Sequence, residues 1–242
     1  MKGVVLAGGL GTRLAPLTRV TNKHLLPVYN KPMIFYPIQT LVDAGVTEIM
    51  IVTGGNNAGE FLRLIGNGEE FGLRHMNYTY QKKEGGIAEA LALTKHFVGD
   101  DKVVVILGDN FVQGSIRQAT EDFANQAEGA KIFLKEVDAP EEFGVAVLDG
   151  DKVTEIIEKP ETPPTNYAVI GIYMYDARVF DICETLKPSG RGELEITDVN
   201  NDYIRRGVMT YEFIDGWWAD CGSFEALLRS NNLVAREHGV DI

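Results

Sequence analysis

The sequence predicts an α/β fold, a single doubly wound domain whose mixed, mostly parallel sheet is flanked by helices. Three observations support this. Up to about residue 130, apolar runs rich in β-branched residues alternate with helical patterns, as in right-handed βαβ units. Beyond that point strand-like runs follow one another closely, which indicates a partly antiparallel half. The 242 residues, 45% hydrophobic and 24% charged, can bury one sizeable core.

The elements of the first half follow from these patterns in order. An apolar run at 4–6 leads into a glycine-rich loop. Further strands are predicted at 48–53, 76–81 and 102–107, and helices at 33–44, 60–65, 87–97 and 115–127, the last with Ser115 as its N-cap. Ligands of such sheets collect beyond the carboxyl ends of the strands, so the glycine loop and Gly108-Asp109-Asn110 are expected to face one cleft.

The second half reads as closely spaced strands followed by helices. Strands are predicted at 131–137, 145–148, 153–157 and 168–175, with turns at 149–150 and 160–164, and helices at 177–186, 197–206 and 223–238. No internal repeat or low-complexity linker divides the chain, which favours one domain with two lobes.

Charge and cysteine content narrow the class of protein. The net charge of −12 argues against nucleic-acid and anionic-membrane partners. Cys183 and Cys221 lack metal-ligand spacing and are expected to be reduced thiols. No segment has the length of a membrane span or the pattern of a signal peptide, so a cytoplasmic protein is expected.

The glycine loop predicts a phosphate site. Gly8, Gly9 and Gly11 offer backbone N–H groups without a Cβ to keep an anion away. A tight turn without a ligand would also explain the glycines alone, but Arg13 and Lys23 add two cations and favour a triphosphate cradle. The motif is neither a P-loop, which needs Gly-Lys-Ser/Thr, nor a dinucleotide fingerprint, because Pro16 interrupts the segment where a helix should run.

Two carboxylates have two interpretations each. Asp109 directly follows an apolar strand and is either a cap made with Asn110 or a Mg²⁺ ligand. Asp220 is either the N-cap of the helix near Ser223 or a second ligand. An acidic protein with an anionic substrate needs local positive charge, and Mg²⁺ commonly combines one or two carboxylates with substrate phosphates.

The block from residue 8 to residue 27 resembles the signature of sugar-nucleotide pyrophosphorylases: Gly-Gly-x-Gly-Thr-Arg-Leu, Pro-Leu-Thr and Lys-x-Leu-Leu-Pro. Over nearly its whole length the chain resembles the glucose-1-phosphate thymidylyltransferases. The resemblance implies a Rossmann-like fold of the nucleotide-diphospho-sugar transferase type. The nucleotide would bind to about residues 1–130 and the sugar phosphate to about 131–242.

The resemblance also implies a reaction. With Mg²⁺, dTTP would transfer dTMP to glucose 1-phosphate and give dTDP-glucose and pyrophosphate, the first step toward dTDP-rhamnose and related deoxysugars. Self-association is common among the relatives, so a homo-oligomer is expected. UTP or another hexose 1-phosphate are alternatives, because thymine and uracil differ by one methyl group. A non-catalytic sugar-nucleotide sensor is disfavoured, because such a protein would be expected to lose Arg13, Lys23, Asp109 or Asp220.

Site residues carry over from the family motifs by position. The implied catalytic residues are Arg13 for the leaving pyrophosphate, Lys23 across the phosphates and Lys159 on the sugar phosphate. The implied nucleotide contacts are Leu6, Gly8, Gly9, Gly11, Thr12, Arg13, Gln81, Gly86 and Asp109. The implied sugar-phosphate contacts are Asn110, Gly144, Glu158, Lys159, Val169 and Trp218. Asp109 and Asp220 would bind the metal. The amide of Gln81 would pair with the edge of thymine or uracil through its donor and its acceptor. By composition alone Gln81 would instead be an exposed loop residue, and Glu158-Lys159 solvated surface.

Three features depart from the family or stay outside the predicted site. Phe143 stands where many relatives have Tyr, which removes one hydroxyl from the implied sugar or phosphate contacts. Many relatives continue into a helical extension tied to end-product regulation, so inhibition by a deoxysugar nucleotide is expected to be absent or built differently. Segment 191–198 reproduces a family motif but is interpreted chiefly as the start of a helix, with Thr197 or Asp198 capping, and no catalytic role is assigned to it.

Overall fold

Nine strands form one central sheet in the computed structural model, which describes residues 1–241 and all their side chains except that of Asn56. In chain order, all strands of the described residues are β1 (Lys2–Ala7), β2 (Pro27–Val28), β3 (Lys31–Pro32), β4 (Ile49–Gly54), β5 (Met76–Gln81), β6 (Val103–Leu107), β7 (Asn110–Val112), β8 (Ala130–Glu136), β9 (Gly144–Asp149), β10 (Lys152–Glu158), β11 (Tyr167–Tyr175), β12 (Met209–Phe213) and β13 (Trp218–Asp220). Four of them lie outside the central sheet and form two separate pairs, β2 with β3 and β7 with β13. The α-helices are α1 (Phe35–Asp43), α2 (Ala58–Ile65), α3 (Ile87–Ala92), α4 (Lys95–Val98), α5 (Arg117–Asn125), α6 (Val179–Thr185), α7 (Ile196–Arg205) and α8 (Phe224–Glu237).

The sheet joins a parallel part to a largely antiparallel part at β11. Strands β5, β4, β1 and β6 run parallel in that order, and β11 pairs antiparallel with β6. On its other edge β11 pairs with β8, which in turn pairs parallel with β12. The β9–β10 hairpin joins the beginning of β11 through Ala168 and Val145. The predicted mixed sheet flanked by helices is therefore confirmed.

The central strands are buried on both faces, which explains their unbroken apolar sequences. One apolar cluster on the sheet includes Val105, Tyr175 and Val199. A second includes Ile51, Ile106 and Phe123. Among the described residues, no helix is long and apolar enough to cross a membrane.

Several predicted boundaries need correction. The helix expected at 87–97 is two helices, α3 and α4, and between them the Thr94 hydroxyl donates to the Leu91 carbonyl at 2.7 Å. Ile116 rather than Ser115 is the N-cap of α5, although the Ser115 hydroxyl accepts from the Arg117 N–H at 3.1 Å. Glu195 is the N-cap of α7, so capping by Thr197 or Asp198 was wrong.

A separate two-stranded ribbon, β7 with β13, had no counterpart in the sequence-based prediction. Asn110 lies opposite Asp220, and Val112 lies opposite Trp218. Because β7 closely follows the end of β6, the ribbon carries Asp220 to the carboxyl end of the parallel strands. The expected cleft at this edge of the sheet thus receives residues from distant parts of the chain.

Candidate active site

The glycine loop begins where β1 ends, beside two other chain segments. Gly11 has a left-handed backbone (φ 65°), and a Cβ built on it would lie 2.8 Å from the Cβ of Lys23. The Leu6 carbonyl at the end of β1 accepts the Gly108 N–H at 2.9 Å, which joins the loop to the end of β6. Thr12 and Arg13 follow in an exposed 3₁₀ turn, Thr12–Leu14. Close packing therefore fixes the base of the loop and leaves its far end open.

Lys23 and Asp109 form a buried ion pair at the carboxyl end of the sheet. Their side chains are 15% and 12% exposed, and Lys23 Nζ pairs with Asp109 Oδ2. Burial opposes ionisation of both groups, but each charge favours the other, so the pKa of Lys23 is raised and that of Asp109 lies well below its usual range. Lys23 Nζ also lies 3.9 Å from the position of a Cβ on Gly9. The pair thus borders the glycine loop.

His24 is buried next to this ion pair and is uncharged at neutral pH. Burial, followed by the charge of Lys23, lowers its pKa to about 3. Its Nδ1 lies 2.7 Å from Asn22 Oδ1, and a Cβ on Gly108 would lie 2.7 Å from its ring. The ring therefore packs against the turn that carries Asp109 without adding charge.

Asp220 lies close to Asp109, at the end of β13, the strand that pairs with β7. The Cys221 N–H donates to the Asp109 carbonyl at 3.0 Å, which fastens the two segments together. Arg13 is adjacent, because its Nη2 would lie 2.8 Å from a Cβ on Gly222. Asp220 caps no helix: the N-cap of α8 is Ser223, whose hydroxyl accepts from Ala226 at 3.2 Å.

Asp220 carries an unused acceptor. Its Oδ1 is buried and has no hydrogen-bond partner among the described residues. Burial, followed by the charge of Asp109, raises the pKa of Asp220 to about 6. A cation next to this oxygen would satisfy it. This open oxygen, beside the second carboxylate of Asp109, suits Mg²⁺, a hard ion that takes its remaining ligands from phosphate and water. No larger cluster of His, Cys, Asp or Glu with the arrangement of a metal site occurs among the described residues.

A cavity of about 200 Å³ opens beside the carboxylates. Six predicted sugar-phosphate residues line it: Asn110, Gly144, Glu158, Lys159, Val169 and Trp218. The Asn110 Oδ1 accepts from the Gly171 N–H at 3.0 Å and from the Trp218 indole at 2.8 Å. Its Nδ2 donates to Asp109 Oδ1 at 3.1 Å, so Asn110 links the cavity wall to the ion pair.

Glu158 differs from the solvated surface residue that composition alone suggests, whereas Lys159 is exposed. Glu158 accepts from the Thr197 hydroxyl at 2.6 Å and from the Arg191 guanidinium at 3.1 Å. Lys159 has a left-handed backbone (φ 44°), rare for a side chain of this size, and its N–H donates to the Phe143 carbonyl at 3.0 Å. Its side chain is exposed and lines the cavity.

Sequence reasoning missed one wall of this cavity. Arg191, Glu195 and Thr197 line it, although the segment was interpreted only as the start of a helix. Arg191 pairs with Glu195 at 2.7 Å as well as with Glu158. The available signal was the match of segment 191–198 to a family motif, combined with its density of charge. Phe143, the departure from the family, packs edge-on against Trp218 with ring centroids 5.1 Å apart.

Gln81 lies beside the glycine loop and is joined to Gly86. Gln81 is buried, and its Nε2 donates to the Gly86 carbonyl at 3.2 Å and to Glu89 at 2.8 Å. Gly86 has φ 94°, and a Cβ there would lie 2.4 Å from the Leu194 carbonyl oxygen, so only glycine fits. The Leu10 N–H of the glycine loop donates to Glu84 at 2.9 Å. The segment that contains Gln81 therefore closes onto the loop.

The predicted residues thus lie around the glycine loop and the cavity. Gln81 contacts the loop at Gly8, and Gly86 lies beside Glu193, which lines the cavity. Between the loop and the cavity lies what we call the junction: Arg13, Lys23, Asp109 and Asp220. A larger cavity of about 740 Å³, which includes Tyr36, Phe111 and Trp217, is lined by none of the predicted site residues. Anionic ligands that bind here would contact backbone donors, two cations and two carboxylates.

Comparison with known proteins gives consistent matches. Residues 2–237 match the family model described as nucleotidyl transferase. A glucose-1-phosphate thymidylyltransferase of Neisseria meningitidis is 41% identical over 97% of this chain and 82% of its own. A Bacillus anthracis crystal structure, assigned as a glucose-1-phosphate thymidylyltransferase in complex with sucrose, is 52% identical, with a TM-score of 0.93 over 100% of this chain and 97% of its own. A UDP-glucose pyrophosphorylase complexed with UDP-glucose is 26% identical, with a TM-score of 0.87 over 98% of both chains.

Proposed function

The chain belongs to the nucleotidyl transferase family, among the glucose-1-phosphate thymidylyltransferases that its motifs resemble, and we propose that it transfers dTMP from dTTP to glucose 1-phosphate. A phosphate oxygen of the sugar phosphate bonds to the α-phosphorus, and pyrophosphate leaves with the bridging oxygen. The products are dTDP-glucose, a precursor for deoxysugars, and pyrophosphate.

The single observation that supports this proposal most strongly is the position of the junction. It lies between the glycine loop and the cavity lined by Glu158 and Lys159, where a nucleotide phosphate and a sugar phosphate would meet. Both reactants are anions, so the main tasks of the protein are to align them and to offset their charge. Lys23 and Arg13 provide that positive charge in a chain whose net charge is −12.

Asp109 and Asp220 are the residues that would hold Mg²⁺. Bound there, the ion would neutralise phosphate charge and favour in-line displacement at the α-phosphorus. The unpaired Oδ1 of Asp220 supports this assignment. A neutral Asp220 would bind a cation poorly, and the pKa of about 6 leaves this carboxyl largely ionised at pH 7.5.

The remaining roles belong to groups around the reactants. Arg13 would stabilise the leaving pyrophosphate, and Lys23 would contact the phosphates beside Gly9. Lys159 would hold the attacking phosphate, while Glu158, fixed by Thr197 and Arg191, would accept hydrogen bonds from sugar hydroxyls. No general base is required, because a sugar phosphate is already ionised at neutral pH.

The test is pyrophosphate release with Mg²⁺ and glucose 1-phosphate, comparing dTTP and UTP at matched sub-saturating concentrations. We expect release with both and a preference for dTTP. Arg13→Met should reduce turnover with each nucleotide, whereas Arg205→Met, which removes an exposed cation far along α7, should not. Failure of wild type to release pyrophosphate with glucose 1-phosphate and either nucleotide would refute the proposal.

UTP is the second candidate nucleotide. The structural match to a UDP-glucose pyrophosphorylase favours it. One methyl group separates thymine from uracil and contributes only about 1–3 kcal/mol in a pocket. Equal or better use of UTP in the same assay would therefore change the nucleotide and leave the roles of the junction unchanged.

A further inference from the structure

The amide of Gln81 is held in one orientation. Its Nε2 donates to the Gly86 carbonyl at 3.2 Å and to Glu89 Oε2 at 2.8 Å. A carbonyl and an ionised carboxylate can only accept hydrogen bonds, so the nitrogen must face both of them. Turning the amide over would place its oxygen against two acceptors.

Glu89 occupies space that Gly85 leaves free. A Cβ built on Gly85 would lie 2.2 Å from Glu89 Oε2 and 2.3 Å from its Cδ. Glu89 itself lies in the first turn of α3, which directly follows segment 82–86. The absence of a side chain at residue 85 therefore allows the carboxylate to reach Gln81.

The remaining polar atom of Gln81 faces the glycine loop. Its Oε1 would lie 2.5 Å from a Cβ on Gly8. Since both hydrogens of Nε2 are engaged, Gln81 can offer a ligand only an acceptor. This differs from the expectation that Gln81 would present both its donor and its acceptor to a base.

We propose that Glu89 is a positioning residue for nucleobase selection: it fixes Gln81 with only Oε1 available, so the site favours a base with a ring N–H on its pairing edge. Uracil and thymine have such a group at N3, whereas N3 of cytosine is an acceptor and would face Oε1 without a shared proton. The inference rests on the proposed function in one respect, because it takes Gln81 as the contact to the base.

The experiment compares the binding of dUTP and dCTP by titration calorimetry with Mg²⁺. These nucleotides differ at the pairing edge but not in the methyl group or the sugar. Wild type should bind dUTP the more tightly. In Glu89→Gln the new amide can donate to Gln81 Oε1 and let Gln81 turn over, so the ratio of the two affinities should fall about tenfold, the difference between a charged and a neutral hydrogen bond.

A second variant and a matched control separate positioning from damage to the fold. Gly85→Ala displaces the flexible end of Glu89 and should reduce the same ratio without changing Glu89 itself. Glu84→Gln makes the same chemical change in segment 82–86, just before α3, but its carboxylate contacts Leu10 rather than Gln81. Glu84→Gln should change the affinities for dUTP and dCTP by the same factor, so that their ratio stays the same.

Each outcome decides the question. A reduced dUTP to dCTP ratio in Glu89→Gln and Gly85→Ala, with an unchanged ratio in Glu84→Gln, supports the inference. An unchanged ratio in both test variants overturns it, as does equal binding of the two nucleotides, or of neither, by wild type. Because binding is measured without a sugar phosphate, wild type that selects dUTP but releases no pyrophosphate with glucose 1-phosphate would refute the proposed function alone.

Discussion

The glycine loop and the sugar-side cavity are built from different parts of the chain. The loop presents mainly backbone groups, and its cationic end at Arg13 is exposed. The cavity presents side chains that hold one another, as Thr197 and Arg191 hold Glu158. Backbone donors suit phosphates of any nucleotide, whereas a fixed set of side chains suits one sugar. Substitutions in the two regions should therefore affect the two substrates separately, except at the junction that both regions share.

The largest effect is expected at the junction, where one substitution should affect both substrates. Asp109→Asn removes a carboxylate from the junction and leaves Lys23 without its charged partner, so we expect kcat to fall about 10²–10³-fold in saturating nucleotide and sugar phosphate. Steady-state pyrophosphate release measures this. Asp151→Asn, in the exposed turn between β9 and β10, is the matched control. Near-normal turnover of Asp109→Asn with Mg²⁺ would mean that Asp109 does not bind the metal.

The second prediction concerns how Asp220, at the junction, makes the stability of the folded state depend on pH. Because the pKa of Asp220 is raised to about 6, the folded state binds its proton more tightly than the unfolded state. The contribution of this group to stability is most favourable below the unfolded pKa of about 4. It declines as pH rises to about 6 and then stays constant. Without metal, Asp220→Asn should therefore be more stable than wild type at pH 8, by up to about 3 kcal/mol.

Urea unfolding in the presence of EDTA at pH 8 and pH 5 tests this prediction. The advantage of Asp220→Asn should shrink to about half at pH 5, since wild type is then largely protonated in the folded state. Asp151→Asn, in the exposed turn, is again the matched control. A constant advantage at both pH values would show that the raised pKa is not its source.

A smaller effect should be confined to the sugar side. Thr197→Val removes the hydroxyl that donates to Glu158, so the KM for glucose 1-phosphate should rise about tenfold while the KM for nucleotide stays within about twofold. Thr154→Val, at an exposed position of β10, is the control. An equal rise in both KM values would contradict the separation of the two regions.

The smallest effect is expected at the departure from the family. Phe143 already packs against Trp218, so Phe143→Tyr adds a hydroxyl without changing the packing of this side of the cavity. We expect kcat/KM for glucose 1-phosphate to change by no more than about threefold, since one exposed hydrogen bond contributes little. Phe213→Tyr, on β12, serves as the control. A rise above tenfold would show that the missing hydroxyl limits sugar recognition in this chain.

The sequence predicted those features that depend on local patterns. The apolar runs of β1, β4 and β6 and the glycines after β1 can be identified from neighbouring residues alone. The β7–β13 ribbon could not, because each strand has three residues, too few to show a periodicity, and its pairing joins positions more than a hundred residues apart. The contact between Gln81 and Glu89 was missed for a related reason: it depends on how segment 82–86 folds.

The ribbon also determines the order in which the site can be assembled during synthesis. Strands β1, β4, β5 and β6 leave the ribosome early and need no later residue for their mutual pairing. Asp109 is then already translated at the end of β6, while Asp220 is still to be translated. A nascent chain that stops before Trp218 contains the whole glycine loop but lacks the strand that brings the second carboxylate to it.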